Sequence, residues 1–172
     1  MNGVIACVQL MQDTKLNKEQ KELVSLISRS SNALLNIIND ILDLSKIEAG
    51  HLQLTREAFN IQQLINDACE LNRAIADDKH VKLKVKVEPG TPRYVMGDPI
   101  RVRQVVMNLV SNAIKFTREG SVNVEVGFDR IDDSRYNIIL EISDTGIGIP
   151  KDRIDKIFES FEQADTSISR NY

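Results

Sequence analysis

The chain has 172 residues, enough for one ordinary domain or for a compact domain with an extension. Twenty-two basic residues against 25 acidic ones leave a formal charge of −3, which gives no electrostatic ground for nucleic-acid or membrane-surface binding. A hydrophobic content of 42% suits a soluble globular protein, and no apolar run approaches the roughly 18 residues of a spanning helix. Met1-Asn2-Gly3 lacks the basic start of a signal peptide, so a reducing, cytoplasmic setting is the expectation. Cys7 and Cys69 both fall in helical apolar patterns and are expected as buried free thiols. No cysteine and histidine spacing suggests a metal site, and no internal repeat is present.

In chain order, residues 3 to 12 predict a short apolar helix, interrupted near Lys15-Leu16-Asn17. Asn17 can cap the next helix, with Gln20 in capping-box position. Leu23, Ile27, Leu34, Ile37, Ile41 and Leu44 then alternate at four and three residues, with Ser30 as the polar seam position. Ala33, Ile38 and Leu42 widen the stripe, and Gly50 is a natural stop. One long helix over 18 to 49 follows. A helix of that length would expose its seam unless partnered. A helical hairpin that dimerises into a bundle meets the need, and a core helix inside one globular domain is the alternative. The length favours the bundle.

After Gly50 the pattern changes, and the domain break is expected near residues 50 to 52. Leu52 and Leu54 suggest a short strand over 51 to 57. Asn60 caps a predicted helix to about Lys79, with Ile61, Leu64, Ile65, Ala68, Leu71 and Ile75 on one side. VKLKVKVE (81 to 88) alternates with period two, as a strand with apolar residues inward and lysines outward. Pro89-Gly90-Thr91-Pro92 reads as a turn, followed by a short strand. Asp98-Pro99 opens a helix to about Phe116, stopped by Gly120. SVNVEVGF and YNIILEIS are strands joined by a short loop, hence antiparallel, and a short helix is expected over 151 to 159. The fold class is α+β: a helical hairpin, then a two-layer α/β sandwich whose helices cover one face of a mixed sheet.

DTGIGIP (144 to 150) is neither a Walker loop nor a dinucleotide fingerprint, and alone it reads as a turn that needs positive φ. The helix RQVVMNLVSNAIKFT (103 to 117) changes the weighing. Asn108, Asn112 and Lys115 are spaced by four and three and share a helix face. Val105, Val106, Leu109, Val110 and Ile114 are expected on the opposite face, against the sheet. For the helix alone, a solvated polar face explains the asparagines equally well. Together with the aspartate and glycines, a phosphate-binding chemistry is coherent. Amide oxygens can coordinate a hard cation that bridges phosphates, and lysine offers phosphate a point charge. A carboxylate can accept from the exocyclic amine of adenine, and glycines allow close backbone approach.

At these residues the chain resembles the sensor histidine kinases, in the style of the hybrid kinases that carry a receiver domain. DPIRVRQVVMNLVSNAIKFT (98 to 117) is similar to their asparagine box, DTGIGIP to their first glycine box, and KIFESFEQAD (156 to 165) to their phenylalanine box. NDILDLSKIEAG resembles the end of their dimerisation hairpin, and MNGVI the segment just after their phosphoacceptor histidine. The resemblance covers nearly the whole chain, with the motifs in the family's order and spacing. It implies a hairpin over 1–50 that forms a homodimer and an ATP-binding domain over 51–172. ATP and Mg²⁺ would be bound, and a response-regulator receiver domain would be a partner. Asn112 would be a Mg²⁺ ligand, and Asn108 would contact phosphate or metal. Lys115 would bind phosphate and Phe116 would border the base. Asp144 would read the adenine amine, with Gly146 and Gly148 shaping the pocket. Phe158 and Phe161 would anchor a mobile lid, though core packing explains them as well. Arg170 matches a lid arginine near phosphate.

The same sandwich occurs in gyrase-like and mismatch-repair ATPases, where the resemblance puts a glutamate base at the position of Asn108. An amide has no useful basicity for activating water, so phosphoryl transfer is favoured over hydrolysis. A non-catalytic dimerisation and nucleotide-binding module is the remaining alternative. By the resemblance, the phosphoacceptor histidine would lie just upstream of Met1 and a second glycine-rich segment beyond Tyr172. His51 and His80 sit far from the expected acceptor motif. The chain is therefore expected to be a piece cut at both ends, unable to phosphorylate itself and a weak ATP binder.

Overall fold

Asn17 opens the longest element of the chain. Its side-chain Oδ1 accepts from the Gln20 N–H (2.9 Å), and the Gln20 side chain accepts from the Asn17 N–H (3.0 Å). This reciprocal box satisfies two otherwise orphaned donors and sets the start of α2 (Lys18–Glu48), 31 residues or about 46 Å long. The structure is a computed structural model that describes residues 2–133 and 135–154. It divides into two compact units, Met1–Gln53 and Leu54–Tyr172.

In the first unit, α1 (Asn2–Gln12) packs on α2 across a short connection. Val8 and Val24 are buried where the helices pack. Beyond the last turn of α2, Gly50 takes φ +66, and the His51 N–H closes onto the Lys46 carbonyl (2.8 Å). Most of the expected seam stands open within the chain: Leu23, Ile27, Leu34, Ile37 and Ile41 are all exposed. Cys7 is exposed as well, against the expectation of a buried thiol. A helix of 11 residues against a single neighbour buries one narrow face, here that of Val8, and the preceding residue turns away from it.

In the second unit, β1 (Glu57–Asn60) pairs antiparallel with β3 (Tyr94–Gly97), from Glu57↔Gly97 to Asn60↔Tyr94. The strand expected over 51 to 57 is thus displaced, and Leu52 and Leu54 lie outside any strand. Register here is set by a partner far along the chain, which two alternating leucines cannot specify. Asn60 ends β1 and caps α3 (Ile61–Asp78), its Oδ1 accepting from the Gln63 N–H. The buried stripe of α3 is Ile61, Leu64, Ile65, Ala68, Cys69, Asn72 and Ala76. Leu71 and Ile75, expected on that stripe, precede buried positions by one residue and swing out, 66% and 55% exposed.

The main sheet is mixed, in the order β2-β4-β5. β2 (Val81–Val87) runs parallel to β4 (Gly120–Arg130), and β4 runs antiparallel to β5 (Tyr136–Asp144). Lys82, Lys84 and Lys86 point to solvent while Val81 and Leu83 are buried, as the alternation requires. α4 (Pro99–Phe116) lies with α3 over the sheet, and Val106, Val110, Ala113 and Ile114 meet Val122, Val124 and Val126 in one core. Asp98 starts α4: Oδ1 accepts from the Arg101 and Ile100 N–H groups, and Oδ2 from the Thr55 N–H. These donors, Arg101 first, hold its carboxyl below the usual carboxylate range. After β5, a 3₁₀ turn covers Lys151–Arg153 and ends at Ile154, and residues 155–159 of the expected helix lie outside the described residues. Among the described residues no helix is long and apolar enough to cross a membrane.

Candidate nucleotide site at the end of the fourth helix

α4 presents its polar residues outward. Asn108 and Asn112 are exposed, one turn apart, and the Asn112 Nδ2 donates to Asn108 Oδ1 at 3.4 Å. This contact leaves Asn112 Oδ1 without a hydrogen bond among the described residues. The Ser111 hydroxyl donates to the Asn108 carbonyl (3.0 Å), tightening the same turn. Val105 and Leu109 do not join the buried face as expected. They are 54% and 46% exposed and lie beside the asparagines. In a two-layer fold a helix buries one stripe, here 106, 110, 113 and 114, and apolar residues flanking it are carried round to the open side.

The last turn of α4 carries Lys115 and Phe116. The Lys115 ammonium lies over the Phe116 ring, 5.1 Å from its centroid, a cation–π arrangement that keeps the charge at the helix end. The glycine loop meets the same turn. The Ile147 N–H donates to the Phe116 carbonyl (3.3 Å), and Asp144 Oδ1 accepts from the Gly146 N–H (2.8 Å). Asp144 Oδ2 has no hydrogen-bond partner among the described residues, so an acceptor edge remains exposed. A Cβ on Gly146 would lie 2.5 Å from the Phe116 oxygen, so only glycine permits the contact. Gly148 has φ +68 with open space around its α-carbon. An open hollow of about 410 Å³ is lined by Phe116, Arg118, Glu119, Thr145, Gly146 and Ile147.

The structure thus brings Phe116, Asp144 and Gly146 together and sets Asn108, Asn112 and Lys115 on the adjoining helix. Arg170, Phe158 and Phe161 lie outside the described residues. Two contributors escaped the sequence reading. Thr145 accepts from the Ser121 N–H through its hydroxyl (3.0 Å) and donates its own N–H to the Ser121 carbonyl (3.1 Å), fastening the loop to β4. Gly120, at φ +125, leaves the room that Thr145 occupies. Gly120 was legible only as a helix stop, because its second role depends on a residue 25 positions away.

The profile of the His Kinase A (phospho-acceptor) domain matches residues 1–50. That of the Histidine kinase-, DNA gyrase B-, and HSP90-like ATPase matches residues 97–171. The signal transduction histidine-protein kinase BarA of Escherichia coli (strain K12) is 40% identical over 172 residues, covering 100% of this chain and 19% of BarA. Hybrid signal transduction histidine kinase A of Dictyostelium discoideum is 40% identical over 178 residues, 100% of this chain and 8% of that protein. The chain therefore spans a fifth or less of these relatives. The crystal structure of full-length ShkA in complex with AMPPNP superposes with a TM-score of 0.76 at 32% identity, covering 95% of this chain and 34% of that one. With both domain profiles matched in order and relatives of this kind along its whole length, the chain belongs to the sensor histidine kinases and is homologous to their hybrid members.

Proposed function

We propose that this chain is the dimerising and ATP-binding portion of a hybrid sensor histidine kinase, working in the cytoplasm. In the whole protein, the γ-phosphoryl group of ATP would pass to an imidazole nitrogen of a histidine, with ADP leaving, and then to an aspartate of a response-regulator receiver. One observation carries the reading. Gly146 and Ile147 sit on the Phe116 carbonyl, so the loop bearing Asp144 adjoins the helix bearing Asn108, Asn112 and Lys115.

The side chains suit the ligands. Asp144 Oδ2 is an acceptor that the exocyclic amine of adenine can fill. Asn112 Oδ1 is a neutral oxygen directed away from Asn108, and Mg²⁺ takes oxygen ligands while keeping phosphates and waters around it. Asn112 would hold the ion and Asn108 would support it or reach phosphate. Bound there, Mg²⁺ would neutralise phosphate charge. Lys115 would add a point charge and Phe116 would border the base, with Gly146 and Gly148 giving close backbone approach. Arg170 would approach phosphate from the lid. ShkA was crystallised in complex with AMPPNP, which supports nucleotide as the ligand class. No carboxylate stands at Asn108 to activate water, so transfer is favoured over a gyrase-like hydrolysis.

Residues 1–50 would form the dimerisation hairpin and residues 51–172 the ATP-binding domain. The open seam Leu23, Ile27, Leu34, Ile37 and Ile41 supports a homodimer, because an apolar stripe of this length is stable in water only when covered. Neither His51 nor His80 lies within a helix, so neither presents an acceptor on the bundle surface. The test is a titration of the chain with Mg·ATP, read from backbone amide shifts. Shifts at Asn108, Asn112 and Gly146 that weaken in Asp144→Asn are expected. Unchanged spectra in both proteins would sink the nucleotide reading and leave an inert docking module.

A further inference from the structure

A helix C-terminus leaves four carbonyls without intrahelical donors, and each must find one elsewhere or face water. At the end of α4 all the last carbonyls are matched. Ala113 accepts from the Thr117 N–H (3.1 Å) and hydroxyl (2.8 Å). Ile114 and Lys115 both accept from the Lys79 ammonium, each at 2.8 Å. Phe116 accepts from the Ile147 N–H in the glycine loop (3.3 Å). Three consecutive carbonyls therefore link Lys79 to the loop that carries Asp144.

We propose that Lys79 is a positioning residue of the nucleotide site, fastening the end of α4 in the orientation that seats the glycine loop. The proposal rests on the nucleotide reading above. Lys79 acts through α4, by its bonds to the Ile114 and Lys115 carbonyls. Its own backbone is fixed, because it is the C-cap of α3 and its N–H donates to the Ile75 carbonyl (3.2 Å). The next residue, His80, holds φ +57, a conformation a side-chain-bearing residue adopts only where its surroundings impose it. The ammonium is thus delivered from the core helix α3 rather than from a loose surface arm. Its charge has a second effect. A cation at a helix C-terminus offsets the negative end of the helix, here beneath the turn that carries Lys115. Loss of that cation would free the last turn and leave two of its carbonyls without their charged donor. Gly146 rests directly on the Phe116 carbonyl, at a distance that excludes a Cβ, so the loop is seated on the turn that Lys79 holds.

The experiment uses the full chain in three forms besides wild type: Lys79→Met, Lys79→Arg and Val87→Ala. Val87 packs at the edge of the core on β2 and serves as a destabilised control. Hydrogen exchange at the Ile147 amide is measured without nucleotide, and Mg·ATP affinity is measured by amide-shift titration. Lys79→Met should speed Ile147 exchange and weaken Mg·ATP, each by about tenfold or more, as loss of a charge-assisted pair implies. Lys79→Arg, which keeps a cation with several donors, should restore most of both. Val87→Ala should leave both near wild type. Wild-type Ile147 exchange in Lys79→Met, or equal effects in Val87→Ala, would overturn the proposal. Absence of Mg·ATP binding by wild type would remove the nucleotide reading, while the Ile147 exchange would still decide whether Lys79 holds the loop.

Discussion

Gly146 lies against Phe116 so closely that a Cβ on the glycine would stand 2.5 Å from the Phe116 oxygen and 2.9 Å from its carbonyl carbon. The obstacle is backbone, which cannot rotate aside as a side chain could. Gly146→Ala must therefore push the loop off α4, at a cost of about 1–3 kcal/mol by analogy with overpacking, and it should abolish detectable Mg·ATP binding. Gly148→Ala meets no neighbour and strains only φ, which costs about 1–2 kcal/mol. Urea unfolding combined with nucleotide titration separates the two. Retained binding in Gly146→Ala with binding lost in Gly148→Ala would contradict the assignment of the contact.

Ile65 and Leu71 were both expected on the buried side of α3, yet Ile65 is fully buried and Leu71 is 66% exposed. Ile65→Ala should destabilise the second unit by about 2–5 kcal/mol through lost packing and a cavity. Leu71→Ala should stay within about 0.5 kcal/mol. Matched denaturant curves for the two variants give the comparison directly. Equal losses would mean that Leu71 is covered in solution.

What could be read in advance follows the range of the interactions. The Asn17–Gln20 box and the Asp98-Pro99 start are local, and their residues announce them. The shared face of Asn108, Asn112 and Lys115 follows from helical spacing alone. The side of α4 on which Val105 and Leu109 fall does not, because a stripe's flanks and its centre look alike in sequence until the sheet is in place. The register of β1 depends on β3, with Glu57 opposite Gly97. The joint between α4 and the glycine loop is made by the Phe116 carbonyl and the Ile147 N–H, backbone groups that every sequence possesses. Residue identity reveals only that glycine is needed there, not what it meets.

Asp98 gives the second unit an acid-sensitive fastening. Its carboxyl titrates below the usual range because the Arg101, Thr55 and Ile100 N–H groups favour the charged form. A group whose pKa is depressed on folding contributes stability above its unfolded pKa, and that contribution is lost as pH falls through the folded value. Wild type should therefore exceed Asp98→Asn in stability at pH 7, and the gap should close from about pH 4 downward. Denaturant midpoints at pH 7 and pH 2.5 test this. A gap that stays constant across that interval would mean that the charge on Asp98 contributes nothing.

Cys69 and Cys7 should report different events. Cys69 is fully buried, and burial raises its thiol pKa against the opposing charge of Arg73. Burial disfavours the thiolate that alkylating reagents attack and also blocks their access to it. In a Cys7→Ser background, labelling of Cys69 should track unfolding of the second unit and accelerate with denaturant. Fast labelling in the native protein would show that α3 opens locally.

Asn112 and Asp144 should fail in different ways when nucleotide is titrated. Asp144 would bind the base, which carries no metal, so Asp144→Asn should weaken ATP by about tenfold or more with Mg²⁺ or with EDTA. Asn112 would touch the nucleotide through the metal. Asn112→Ala should therefore remove the gain in affinity that Mg²⁺ confers on wild type and leave the EDTA value almost unchanged. The pattern does not depend on the absolute affinity, because each variant is compared with itself in the two conditions. It also separates ligand loss from helix damage. Alanine favours a helix over asparagine, so α4 should be no less stable in the variant. Equal weakening of Asn112→Ala with and without Mg²⁺ would place Asn112 on the nucleotide directly and remove it from the metal.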